Sequence, residues 1–249
     1  MKKFLVAIDQ GTTSSRAILF SLSGKPIYTS QKEFRQYFPK DGWVEHNPNE
    51  IWNTTRKVLT DVITKSKKLK GKILTIGITN QRETTILWDK ISGKPVYNAI
   101  VWQDRRTAEF CKKFKTINRE KIINKKTGLL IDPYFSGTKI KWILENIPKA
   151  KKLAKNNQLL FGTVDTFLIW KLTKGKIHAT DATNASRTML YNISTNKWDK
   201  DILKILKIPK KILPEVKDSS DNFGYIKKHC STCVCSICCV YFSFGKFPN

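Results

Sequence analysis

At 249 residues the chain is long enough for one large domain or two small ones around a substantial core. Its formal charge of +26 rests on 46 basic residues, of which only eight are Arg, and lysine pairs are spread evenly from Lys2-Lys3 to Lys227-Lys228. A protein that reads nucleic-acid bases gathers Arg on one face, so this balance excludes specific nucleic-acid binding and describes many solvated helix faces instead.

Two apolar runs, 4–8 and 17–22, flank Asp9-Gln10-Gly11-Thr12-Thr13-Ser14-Ser15-Arg16. The pattern predicts an antiparallel hairpin whose turn is packed with small donors. Gly11 keeps a side chain out of the way, so N–H groups and the hydroxyls of Thr12, Thr13, Ser14 and Ser15 can converge on one anion, with Arg16 at the mouth. Asp9, ending the first strand, can hold a magnesium ion through water, because magnesium keeps most of its shell. An ordinary polar turn has the same composition, so this segment alone leaves both readings open.

A third strand is expected over 26–34, after the turn Ser23-Gly24-Lys25. A helix then opens with Asn47 as N-cap and Pro48 in its first turn, and Ile51, Trp52, Thr55, Val58, Leu59, Val62 and Ile63 recur at helical spacing. A buried strand over 72–79 runs into Asn80-Gln81-Arg82-Glu83-Thr84-Thr85 and a further strand, Ile86-Leu87-Trp88. Asp104 is expected to open a helix with Arg105 and Arg106 on its solvated face, and 137–146 carries an apolar face through Ile140, Ile143 and Leu144. Asp165-Thr166 is expected to cap the helix holding Phe167, Leu168 and Trp170, while His46 and His178 stand alone and read as structural. No Walker A sequence is present, which sets P-loop nucleotide hydrolases aside.

The runs DQGTTSSR, GITNQRETT, VWQDRRTAE, IDPYFSGTKIKWILEN, LFGTVDT and DATNASRTML together resemble the FGGY carbohydrate kinases, in register from about Phe4 to about Tyr225. Within that family Gln81-Arg82-Glu83-Thr84 marks the members that phosphorylate glycerol rather than sugars. The resemblance implies an α/β fold, an actin-like, ribonuclease-H-like mixed sheet flanked by helices, as the first of two domains. It also implies a cytoplasmic enzyme that uses ATP and magnesium to make sn-glycerol 3-phosphate. By the same resemblance Thr12, Thr13, Ser14 and Arg16 contact ATP or ADP phosphates, Asp9 supports the metal, and Arg82, Glu83, Tyr134 and Trp102 hold glycerol. The chemistry suits those types: a guanidinium donates to hydroxyl oxygens, a carboxylate accepts from hydroxyl hydrogens, and an indole walls the carbon backbone. Asp181, Thr183, Asn184, Ser186 and Arg187 belong to a family motif expected to fix loops through side-chain hydrogen bonds.

The reading divides the chain into an actin-like domain, 1–225, and a tail, 226–249. Members of the family continue to a strand and a Gly-Asp-Gln-Gln segment that supplies the catalytic base; that segment is absent, and five of the six cysteines fall within 230–239 instead. A shifted reading frame produces such a change, and no catalytic base is assigned in this chain. The alternative function is therefore a non-catalytic remnant. Zinc binding by His229, Cys230, Cys233, Cys235 and Cys238 is disfavoured by their close spacing, and 234–247 is too short for a bilayer span of ~20 residues. Removal of 229–249 is expected to leave the fold unchanged and to limit disulfide-linked aggregation.

Overall fold

Period-two alternation builds the amino-terminal sheet. Strand β1 (Lys2–Gln10) buries Phe4, Val6 and Ile8, pairs antiparallel with β2 (Ser14–Ser21), and β2 pairs antiparallel with β3 (Pro26–Glu33). The computed structural model describes residues 1–226 and the backbone of 236–238. Only Gly11-Thr12-Thr13 lies between the two strands, so the turn is tighter than the two apolar runs indicate; Asp9, Gln10, Ser14, Ser15 and Arg16 are strand residues.

Helix α1 (Pro48–Lys68) starts where the sequence places it: Asn47 Oδ1 accepts from the Asn49 N–H at 2.9 Å, Pro48 occupies the first turn, and lysines cluster in the last. Its buried stripe of Ile51, Thr54, Thr55, Val58, Leu59 and Val62 covers β2 and β3. Strand β4 (Gly71–Asn80) then returns parallel to β1. A backbone strand, β7 (Ser236–Cys238), lies parallel on the other edge of β4, giving a five-stranded sheet in the order β7-β4-β1-β2-β3. That strand falls inside the stretch read from sequence as a tail, so removal of 229–249 would strip the outer neighbour from β4. The zinc-type spacing lies outside the described residues.

A second core forms where β5 (Ile86–Asp89) pairs antiparallel with β6 (Leu159–Gly162), outside the main sheet. Leu87, Ile100 and Phe161 pack there with Ile140 and Ile143 of α3 (Ser136–Asn146).

Two expected helix starts are corrected. Helix α2 (Ala108–Phe114) begins after the 104–106 segment, and Asp104 and Arg106 are buried rather than solvated. The Arg106 guanidinium bonds Asp104 Oδ2 at 2.8 Å and Glu45 Oε1 at 2.7 Å, and lies 3.8 Å from the Trp43 ring centroid. Two carboxylates and an aromatic face make burial of this cation tolerable, and Glu45 and Trp43 are supplied by a distant part of the chain. Helix α4 (Val164–Leu172) is preceded by Thr163, not Asp165. Asp165 is buried inside the first turn, where it accepts from Thr163 and, at 2.7 Å, from Thr180; burial, reinforced by Asp181, pushes its carboxyl up to about 7. No helix among the described residues is long and apolar enough to cross a membrane.

Candidate functional site

Because β1 and β4 are parallel and in register, with Asp9 opposite Thr79 and Gln10 opposite Asn80, the loops that follow them emerge side by side. Carboxyl ends of parallel strands are where open α/β sheets place their ligands. One loop is the turn Gly11-Thr12-Thr13; the other carries Gln81 to Thr85. Gln81 joins them. Its Nε2 donates to Gln10 Oε1 and Gly11 O, both at 3.1 Å, and lies 3.3 Å from His46 Nδ1, while its Oε1 accepts from Thr84 Oγ1 at 2.9 Å. Burial pushes His46 down to about 4, so a neutral ring lies against Gln81.

In the first loop the Gly11 N–H closes the turn onto Ser14 O at 2.9 Å. A Cβ on Gly11 would meet only that carbonyl, at 3.4 Å, so the glycine is not forced by the turn; it leaves open space in front of it. The hydroxyls divide. Thr13 is exposed, Thr12 accepts from Trp102 Nε1 at 3.2 Å, and buried Ser14 accepts from Gln31 Nε2 at 3.0 Å. Ser15 does not join the cradle: it is fully buried against α1, 2.9 Å from Thr54 Oγ1. Strand alternation requires this, since neighbouring residues face opposite sides of the sheet. Arg16 Nη2 lies 3.5 Å from Asp9 Oδ2, and the Asp9 side chain is 34% exposed. No cluster of three metal-ligating side chains occurs among the described residues. A single accessible carboxylate suits a magnesium ion held mainly by water and phosphate oxygens, and would not suit a fully protein-ligated cation.

The second loop is held harder. Glu83 is 2% exposed and has φ of 62°, a left-handed conformation uncommon for a side-chain-bearing residue. Its carboxylate accepts from Arg187 Nε at 2.6 Å, and the Arg187 guanidinium lies 5.7 Å from the Tyr134 ring centroid. Tyr134 in turn packs at 5.6 Å against Trp102. Arg82, Trp102 and Tyr134 are all half-buried beside the buried Glu83. Glu83, Tyr134 and Trp102, three of the residues expected for glycerol, are thus linked through Arg187 and ring contacts, and Trp102 also touches the Gly11-Thr12-Thr13 turn, while Arg82 precedes Glu83 in the same loop. Arg187 sits closer to this chemistry than its assignment as a loop-fixing residue implied. Its neighbours keep that role: Asp181 Oδ1 caps α5 (Ala182–Ser186) through the Asn184 N–H at 2.8 Å, and Asn184 Oδ1 accepts from Asn80 Nδ2 at 3.0 Å, tying down the end of β4.

A hairpin-first mixed sheet backed by helices, with two loops emerging side by side at the carboxyl ends of its central parallel strands, defines an actin-like domain. The model of the FGGY family of carbohydrate kinases, N-terminal domain, matches residues 4–238, and the chain belongs to that family. It is 62% identical over 224 residues to glycerol kinase of Fusobacterium nucleatum, covering 90% of this chain and 45% of that protein, and 61% identical over 225 residues to glycerol kinase of Alkaliphilus oremlandii. The crystal structure of Plasmodium falciparum glycerol kinase with ADP superposes with a TM-score of 0.90 at 38% identity, over 95% of this chain and 48% of that one. Xylulose kinase from Rhodospirillum rubrum, at 18% identity and a TM-score of 0.84, shares the fold alone. The chain therefore spans about half the length of the relatives it matches.

Proposed function

We propose that this chain forms the glycerol-binding and phosphate-binding half of an ATP-dependent glycerol kinase, which transfers the terminal phosphoryl group of ATP to a primary hydroxyl and yields sn-glycerol 3-phosphate and ADP. The observation that carries the reading is the junction at Gln81: one side chain fastens the polyol loop to the phosphate turn, so an acceptor hydroxyl on Arg82 and Glu83 would lie beside phosphates on the turn.

Phosphoryl transfer asks little covalent work of a protein; it asks for alignment and for charge to be met where it develops. Arg82 and Glu83 address the polyol hydroxyls with complementary donors and acceptors, and the Trp102 and Tyr134 rings bound the carbons. Main-chain N–H groups of the turn, with Thr12, Thr13, Ser14 and Arg16, receive the phosphate oxygens. Magnesium, held by Asp9 through water, supplies charge neutralisation of the nucleotide phosphates when bound. As the oxygen–phosphorus bond forms and the bond to the leaving ADP breaks, the hydroxyl proton must pass to a base; no residue among these 249 is assigned that role.

The test joins residues 1–226 to the carboxyl-terminal half of the Fusobacterium nucleatum relative and measures phosphorylated product from glycerol, xylulose and gluconate. ATP-dependent glycerol 3-phosphate is expected. A folded chimera that phosphorylates a sugar substrate and leaves glycerol untouched would refute the assignment.

A further inference from the structure

Lys139 lies on the buried side of α3 with 0% exposure, the one lysine among the described residues that is buried. Burial of an amine is costly unless its protons are used, and Lys139 uses them on main-chain carbonyls: Nζ donates to Tyr134 O at 2.6 Å and to Glu83 O at 3.3 Å. Those two carbonyls belong to two of the four residues read above as polyol contacts. Ser136, one helical turn before Lys139 on the same face, donates its Oγ to the Glu83 carbonyl at 3.0 Å. The main chain of Glu83 therefore has two donors on its carbonyl at a residue held in the left-handed region. A conformation of that kind persists only where its surroundings determine it. The burial cost shows at the amine itself, which is pushed down to about 7.

We propose that Lys139 is a positioning residue of the polyol site: from beneath the pocket it holds the Glu83 and Tyr134 carbonyls at a fixed separation, and so aims the Glu83 carboxylate and the Tyr134 phenol at the ligand. The inference rests on the polyol reading of the preceding section. A lysine that merely filled the core would be replaceable by an apolar side chain of similar length without effect on ligand affinity, whatever stability is lost when two buried carbonyls lose a donor.

The experiment titrates glycerol into the uniformly ¹⁵N-labelled chain of 249 residues and follows the amide resonances of Glu83 and Tyr134, with inorganic phosphate titrated separately at the Thr12 and Thr13 amides. Lys139→Met is expected to keep the parent's circular dichroism and phosphate response while its glycerol affinity falls about tenfold or more, the range for losing a hydrogen bond that orders a binding group. Ser136→Ala removes only the second donor and is expected to weaken glycerol a few-fold. Parent-like glycerol affinity in a folded Lys139→Met variant overturns the proposal and leaves the functional reading standing. If Lys139→Met does not fold, parent-like affinity in Ser136→Ala overturns it. A parent chain with no glycerol response overturns both the proposal and the reading beneath it.

Discussion

Glu83 is the residue on which most of the site converges: Arg187 takes its carboxylate, two donors of α3 take its carbonyl, and its main chain is left-handed. In the chimeric kinase, Arg82→Ala and Glu83→Ala are each expected to lower kcat/KM for glycerol by about ten- to a hundredfold, because each removes a directional contact in a dry site. Steady-state kinetics equal to the unsubstituted chimera in both variants would sink their assignment. His46 gives a prediction that needs no ligand. Its folded pKa of about 4 lies below the 6.5 of the unfolded chain, so between those values the unfolded chain takes the proton and the folded one does not. The contribution to stability is complete above pH 6.5 and is lost as pH falls towards 4, by roughly 3 kcal/mol. Urea unfolding of the parent and of His46→Gln at pH 7 and pH 4.5 measures it; an equal acid loss in both would refute it. Arg82 and Glu83 are singled out through the family resemblance of their run; their types suit a polyol, but a loop of solvated charges has the same composition. Arg187 could not be tied to Glu83, since the two are 104 residues apart and only the fold makes them neighbours. Arg106 misled for the same reason: a charge next to another charge reads as solvated until its partners, Glu45 and Trp43, are placed.

Elements were legible where a period or a cap is local. Helix α1 declares itself through Asn47, Pro48 and a stripe every three to four residues, and Asn47→Ala is expected to cost about 1 kcal/mol, read as a lower urea midpoint with unchanged slope. A midpoint within error of the parent would show that the cap contributes nothing. The start of α4 was less legible, because Thr163, Asp165 and Thr166 are all residues that favour a helix amino terminus. Burial decided among them: Asp165 is turned inward to Thr163 and Thr180, and Thr163 takes the boundary position. The hairpin was read too loosely, since small polar residues at strand ends resemble turn residues until the ladder between Gln10 and Ser15 is seen.

On the scale of the molecule, the 249 residues hold the loops proposed for polyol and phosphate and no assigned base. A missing general base forfeits about 10²–10⁴-fold, and incomplete placement of the nucleotide removes more. Purified chain is therefore expected to form no glycerol 3-phosphate above the level of an Arg82→Ala, Glu83→Ala double variant in a coupled assay; a clear excess in the parent would show that a carboxylate such as Asp9 serves as base. The other whole-molecule consequence lies in the sheet order. Strand β4 is flanked by β1, made at the start of the chain, and by β7, made near its end. Deleting 229–249 is thus expected to increase aggregation, contrary to the expectation from composition, because it bares the unpaired amides and carbonyls of 75–77; light scattering that falls on deletion would refute this. The same geometry sets a clock during synthesis. Everything between Thr75 and Ser236 must be translated before that edge can be covered, which at ribosomal speed is on the order of ten seconds. Throughout that interval a nascent chain carries four of the sheet's five strands with one edge of β4 open, an exposure set by the distance between two strands rather than by any segment's composition.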